Sequence, residues 1–464
     1  MPKPRFTVVR NASRRQTLST LLAEVGTMPN FESCFTSEHL TEGVESLLDG
    51  HFDVIAERPR ISTGADRIEL DLFLRDQAKH LTAISRKVID GRYTFSPFLE
   101  RHIPKPESKD MRTISVASIR DSIVQRALYD YLYPIIDVKL SASVFGYRKG
   151  ISAHDAVRLI RKHFEEGRVF LFDADLQKFF DTVNHDILLE MVLALGLDDR
   201  ANTLIRRFLK TGKISPAQVE EHKKRTGKQI KYVPELRTIG VPQGGVLSGL
   251  LSNLYLSQFD GHIRERYEGL VRYADDFLVC CRSEEECRQV HDLVNTQLEP
   301  LKLQLHPTKT RECVQAAVGV DFLGFRISIR GLRIRKRNVL KFKHRIRDVL
   351  GSQKVFKTAS RTLRSLVRRL TFKIRGPNEE QLKKLAERGR RVAHCRRSWI
   401  GFFRIVDDLT QIRSLDHWLR RQVSAFMWEK HRVRVRLKQM QGAGLPSLIN
   451  SLWIARSKKP VAGS

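Results

Sequence analysis

Two aspartates stand side by side at positions 275 and 276 inside VRYADDFLVCC (271–281), a run otherwise dominated by β-branched, aromatic and other apolar side chains. Such a run reads as extended chain. Two like charges a few ångströms apart in an apolar strand raise each other's pKa unless a cation neutralises them. The economical solution is a tight hairpin turn that carries both carboxylates to the edge of a cleft while the flanking apolar residues enter a covered sheet. A solvated turn that happens to hold two acids satisfies the same segment taken alone.

A second acid-bearing run lies about 100 residues upstream. VFLFDADL (169–176) reads as a strand ending in Asp173 and Asp175. Two such strand ends bring carboxylates from distant parts of the chain together. Three converging carboxylates suit hard divalent cations, which take oxygen ligands and keep positions open for water and phosphate oxygens. Two Mg2+ ions held in that way make a phosphoryl-transfer site.

The remaining pattern is α+β. IRDSIVQRALYDYLYPIID (119–137) is helical by the spacing of Ile123, Ala127 and Leu128, and HKKRTGKQIK (222–231) before Pro234 reads as a basic polar loop. Beyond about 330 the chain becomes helical and basic. Leu363, Leu366, Val367 and Leu370 form one stripe among Arg361, Arg364, Arg368 and Arg369, and Gly376-Pro377 ends it. A last helix is expected near 415–430, with Leu415, Trp418, Leu419, Val423, Phe426 and Met427 on one face. Residues 1–60 carry no strong period and read as a helical extension of unknown role.

Charge decides between partners. Of the 83 Lys+Arg and 52 Asp+Glu, residues 326–464 hold 37 and 8, so almost all of the net +31 lies in the last third. A domain so charged is most compact against a polyanion, and nucleic acid is the leading partner. The six cysteines include no C-x2-C pair, so no zinc module is indicated and they read as core residues. No apolar run approaches the ~18 residues of a membrane span, and the start lacks the apolar core of a signal peptide, so a cytoplasmic protein with no membrane partner is expected.

Tyr273-Ala274-Asp275-Asp276 resembles the Y-x-D-D box of reverse transcriptases, and its surroundings resemble the bacterial group II intron-encoded reverse transcriptase and maturase family. Residues 98–128 are similar to that family's first fingers blocks, and SVFGYRKGISAHDAV (143–157) to its G-[FY]-R-x-G-x-S-x-H-x-A block. VPQGGVLSGLLSNLYLSQFD (241–260) is similar to the P-Q-G-G block, and LQLHPTKT (303–310) and DFLGFRIS (321–328) to the last palm blocks. Residues 398–436 resemble the thumb, or maturase, domain. The resemblance implies a right-hand polymerase in four parts: an extension at 1–60, fingers and palm at 61–325, a basic helical thumb at 326–440 and a tail at 441–464. It also implies RNA-templated extension of a DNA primer by deoxynucleoside triphosphates with Mg2+, which Mn2+ can replace. A structured RNA such as intron RNA is a further expected partner.

Site roles carry over by position. The resemblance makes Asp175, Asp275 and Asp276 the catalytic, metal-binding triad, with Asp173 a bystander. Phe180 matches the residue beneath the sugar 2′ carbon that excludes ribonucleotides, with Phe179 as the fallback. Lys105 and Arg112 match the fingers cations that hold the triphosphate, in a loop one residue longer than usual. Gln243 matches a nucleotide contact, and Gly244 and Gly245 would let backbone approach the template. Lys309 matches a proposed general acid for the leaving pyrophosphate, and Leu323, Gly324 and Phe325 resemble the primer grip.

Gly249 departs from the family by replacing a common Pro, and Val116-Ala117 stands where many members have Ile-Pro. After residue 436 there is neither a His/Asn array nor paired cysteines, so the endonuclease of many mobile-intron relatives is expected to be missing. Two other roles stay open: a splicing maturase that mainly binds RNA, and a free-standing enzyme of DNA repair, phage defence or RNA spacer acquisition.

Overall fold

The computed structural model describes residues 29–53, 58–104, 111–227, 236–387 and 398–457. At its centre four antiparallel strands lie in the order Leu270–Tyr273, Asp276–Cys281, Phe170–Asp175, Arg311–Gln315. Side chains alternate across this sheet. Phe172, Ala174, Phe277, Val279 and Cys281 enter one apolar core, while Leu171, Val271, Leu278 and Cys280 enter another. Both faces are therefore covered, which is why these strands read as nearly unbroken apolar runs.

The first core gathers on the helix Ile119–Asp137, which buries residues around most of its circumference and starts at Ser118, whose hydroxyl accepts from the Asp121 amide at 3.1 Å. The helix Val246–Tyr255 packs on it and is buried almost throughout. Phe31, Phe35, Leu40 and Val44 complete the same core. Residues 29–50 of the expected extension are thus integral to this layer. A smaller sheet pairs Phe98–Pro104 antiparallel with Met111–Val116 and parallel with Lys213–Ile214.

The second core joins the other sheet face to the basic third of the chain. The helix Ala153–Glu165 supplies Ala156, Val157 and Ile160, and a meander of Val320–Phe322, Phe325–Ser328 and Gly331–Ile334 supplies Phe325, Ile327 and Ile334. Helices Lys336–Gly351, Ala359–Arg375, Leu409–His431 and Leu448–Ser457 close it. Polar ties cross the same seam: a His154 ring nitrogen lies 2.6 Å from the Phe402 carbonyl, and Arg161 pairs with Asp407 at 3.0 Å.

Two expectations change. His222–Thr226 is not loop but the end of the helix Pro216–Thr226, because Ser215 and Gln218 cap each other's backbone and Pro216 occupies the first turn, outweighing a polar composition; residues 228–231 lie outside the described residues. The helix expected at 415–430 runs Leu409–His431 and is not the last, since Leu437–Gly442 and Leu448–Ser457 follow. Gly444 and Pro446 interrupt the period there, but Leu448 and Leu452 are buried and dock the final helix. Among the described residues no helix is long and apolar enough to cross a membrane.

Candidate active site

The hairpin demanded by the paired acids is present. Tyr273 lies opposite Asp276 across a two-residue turn of Ala274 and Asp275, and Asp276 lies opposite Asp175 on the neighbouring strand. Register alone therefore brings Asp175, Asp275 and Asp276 to one end of the sheet. Asp173 and Asp175 share the face of Leu171, as the period of two requires.

The turn is shaped by residues that the sequence reading did not single out. Ala274 has φ +60, a conformation unusual for a residue with a side chain. Its carbonyl accepts from Arg272 Nη1 at 2.8 Å, and the same nitrogen reaches Asn253 Oδ1 at 3.1 Å. Arg272 is fully buried and paired with the fully buried Asp260 at 2.7 and 2.5 Å. Asn253 Nδ2 donates in turn to the Gly146 carbonyl at 2.8 Å. Gly146 must be glycine, because a Cβ there would stand 2.6 Å from the Ala274 nitrogen. One buried network thus ties the hairpin, the helix Val246–Tyr255 and the G-Y-R-K-G loop together. Its signal in the sequence was an arginine inside an apolar strand, which is costly unless paired.

Crowding governs the electrostatics. Burial raises the Asp275 carboxyl above its ordinary range, and Asp175 adds to this while Arg112 and Lys309 oppose it. Burial, then the Asp275 and Asp175 charges, push Asp276 up to about 7. Lys309 places its ammonium against Asp175, and Arg311 Nε donates to Asp173 Oδ2 at 2.8 Å. Each of the two acids of this strand thus faces one cation of the 309–311 segment. The His306 amide donates to the Asp175 carbonyl at 2.8 Å and holds the P-T-K-T segment beside the strand end.

Among the described residues no three His, Cys, Asp or Glu side chains already form a metal-holding group. Asp175 and Asp276 stand opposite each other at the ends of neighbouring strands. The donor set nonetheless fits a hard divalent cation: it is all carboxylate oxygen, and burial and the neighbouring acids lift two of its members above their normal pKa, a cost that a bound cation relieves.

Lys105 lies outside the described residues. Arg112 is exposed on the strand Met111–Val116, within electrostatic reach of Asp275. Phe179 is buried core, whereas Phe180 is half-buried and meets Phe179 at 5.4 Å between ring centroids. The Gln243 carbonyl accepts from the Ser115 amide at 2.8 Å, so the P-Q-G-G segment is stitched to the same strand as Arg112. Gly244 has φ +104 and faces Ile114. Leu323 and Gly324 form the turn of a second hairpin with φ +50 and +89. Phe325 is fully buried and stacked on Phe402 at 5.5 Å, so within that trio only Leu323 and Gly324 are open to a ligand.

Residues 103–327 match the family described as "Reverse transcriptase (RNA-dependent DNA polymerase)". Curated relatives include Protein YkfC of Escherichia coli, 28% identical with 59% of this chain and 76% of that protein covered. The group II intron-encoded protein LtrA of Lactococcus lactis is 24% identical over 53% of this chain and 49% of that one. Residues 103–327 are a reverse transcriptase domain similar to those of group II intron-encoded proteins. A Saccharomyces cerevisiae COX1/OXI3 intron 1 protein is 26% identical, with 59% of this chain and 39% of that one covered, so this reverse transcriptase spans about half or less of the intron-encoded relatives. Among solved structures, telomerase of Candida albicans with a telomeric RNA fragment gives a TM-score of 0.40 at 14% identity, covering 83% of this chain and 66% of that one. A Cas6-RT-Cas1–Cas2 complex gives 0.32 at 22%, covering 59% and 41%. In the terms of the right-hand polymerase expected from the sequence, the four-stranded sheet corresponds to the palm and the basic helices on its second face to the thumb.

Proposed function

We propose that this chain extends a DNA primer 3′-hydroxyl with deoxynucleoside triphosphates on an RNA template. The observation that carries the reading is the strand register that sets Asp175 opposite Asp276, with Asp275 in the adjoining turn. The primer 3′-oxygen attacks the α-phosphorus in line, the new P–O bond forms as the bond to the β-phosphate oxygen breaks, and pyrophosphate leaves. Two Mg2+ ions, when bound, supply activation of the 3′-hydroxyl and charge neutralisation at the pyrophosphate. Asp175, Asp275 and Asp276 would hold them; Mn2+ has the same ligand preference and would substitute. Arg112, with Lys105 seven residues before it in sequence, would take the triphosphate, and Lys309, paired with Asp175, would give its proton to pyrophosphate. Phe180 would exclude a 2′-hydroxyl, Gln243 and Gly244 would line the nucleotide, and Leu323-Gly324 would meet the primer end. The cations of the thumb would hold the template–primer duplex by phosphate and 2′-hydroxyl contacts.

Primer extension on an artificial RNA template with Mg2+ or Mn2+ tests this. Wild-type chain should extend the primer, and Asp275→Ala should abolish extension while leaving RNA binding intact. No extension by wild type under either metal overturns the reading. The exposed Arg361, Arg364 and Arg368 favour a second role in binding a structured RNA as a maturase. That role gains if Asp275→Ala still supports splicing of an intron RNA flanking the reading frame, and the lack of any such RNA favours a free-standing enzyme.

A further inference from the structure

Tyr147 has φ +59, a conformation disfavoured for a residue with a side chain, and the residue is 46% exposed. The backbone around it is fixed on both sides. The Phe145 amide donates to the Arg272 carbonyl at 2.9 Å and Asn253 holds Gly146. Arg148 binds Asp137 at 2.7 Å and the Ser141 carbonyl at 3.0 Å. These ties set the direction in which the ring leaves the loop.

The ring comes to rest on Gly249. A Cβ at that position would stand 2.5 Å from two carbons of the Tyr147 ring, so a residue with any side chain there displaces it. This is the position at which the chain departs from the proline common in the family. Tyr147 also stands edge-on to Phe180, at 6.5 Å between centroids and 89° between planes. Burial pushes its phenol up to about 12, and the groups that act on it include Asp275 and Arg112. The expected sugar-sensing aromatic thus touches this ring, and an acid of the triad and a fingers cation act on it electrostatically.

We infer that Tyr147 is a nucleotide-selecting residue, a second aromatic wall set at right angles to Phe180, against which the sugar of an incoming deoxynucleoside triphosphate is seated. The missing side chain at Gly249 is what seats the ring. A ribose seated in the corner that the two touching rings form would press its 2′-hydroxyl onto apolar carbon with no partner, and a deoxyribose would not. The inference rests on the polymerase reading and adds to it a specificity element peculiar to the Tyr147–Gly249 pair.

The test is steady-state primer extension by the full chain with a deoxynucleotide and its matching ribonucleotide, comparing wild type, Tyr147→Phe, Tyr147→Ala and Gly249→Ala, with melting curves for each. Tyr147→Phe keeps the ring and should stay within about twofold of wild type. Tyr147→Ala should raise KM for the deoxynucleotide about tenfold, leave kcat within about threefold, and cut the preference for deoxy over ribo substrate about tenfold. Gly249→Ala should reproduce that pattern with the tyrosine still in the chain. Variants that match wild type in KM and selectivity overturn the inference. So does a loss of kcat and folded protein with KM and selectivity unmoved, which marks a merely structural residue. Wild type that incorporates nothing overturns the polymerase reading itself, so the two failures are told apart.

Discussion

Arg272 and Asp260 are both removed from water, and burial raises the Asp260 carboxyl while Arg272 opposes the rise. Removing one partner strands a buried charge, so Arg272→Met should cost about 3–5 kcal/mol in denaturant unfolding. Arg272→Met with Asp260→Leu should recover most of that stability but not activity, because the Ala274 carbonyl has lost its donor and the turn its shape. Equal loss of stability in single and double variants would remove the charge-stranding argument. The triad invites a cation experiment in the same spirit. Mg2+ should raise the melting temperature of wild type, since it neutralises acids whose burial and mutual repulsion lift Asp276 to about 7, and Asp275→Asn/Asp276→Asn should melt at the same temperature with Mg2+ or EDTA. The acids were legible because acids are expensive in apolar strands. Which of Phe179 and Phe180 faces the cleft, or that Phe325 turns into the core, was not, since adjacent aromatics satisfy the same pattern and only tertiary packing chooses between them.

At the scale of elements, local signals settled what tertiary contacts did not override. The helix Ile119–Asp137 was readable from its apolar spacing, whereas Pro216–Thr226 was hidden by composition although its Ser215/Gln218 capping box was in plain sight. The thumb helix Leu409–His431 depends on a one-way cap, since its Gln411 side chain bonds Ile334 and not the Asp408 backbone. Asp408 accepts from the Thr410 amide at 2.9 Å and from Arg333 on the meander, so it joins two elements as well as starting one. The Thr410 hydroxyl, followed by Arg333, lowers its carboxyl to about 2. A depressed carboxylate contributes stability that is fully present above its unfolded pKa near 4 and is lost as pH falls toward 2. Asp408→Ala should therefore cost about 1 kcal/mol at pH 7, and the gap between variant and wild type should close in unfolding measurements between about pH 4 and 2. A gap that persists at pH 2 would mean that the lost contacts are not those of the charged carboxylate.

Over the whole molecule the palm sheet is shared by two cores, and the thumb belongs to the second of them. Phe325, Ile327 and Ile334 pack with Leu366, Leu370 and Leu419, so the step from palm to thumb passes through apolar contact. No sequence periodicity reports this seam, because each partner reads simply as an amphipathic element. The charge excess of residues 326–464 was legible, but which cations are free to meet a nucleic acid was not. Arg361, Arg364 and Arg368 are exposed on the helix Ala359–Arg375, Arg361 with its guanidinium 4.8 Å from the Phe356 ring centroid. Arg369, in the same run, is spent on the end of the preceding helix, donating to Ser352 O at 3.0 Å, Ser352 Oγ at 2.8 Å and Gln353 Oε1 at 3.0 Å. If the exposed three meet phosphates, replacing all of them by Gln should weaken binding of template–primer alike for every sequence. The dependence of log K on log salt should flatten by about 2 to 3, with melting unchanged. Arg369→Gln should do the reverse, lowering the melting temperature and leaving the salt slope where it was. Equal slopes in all three proteins would move the duplex to another face of the thumb.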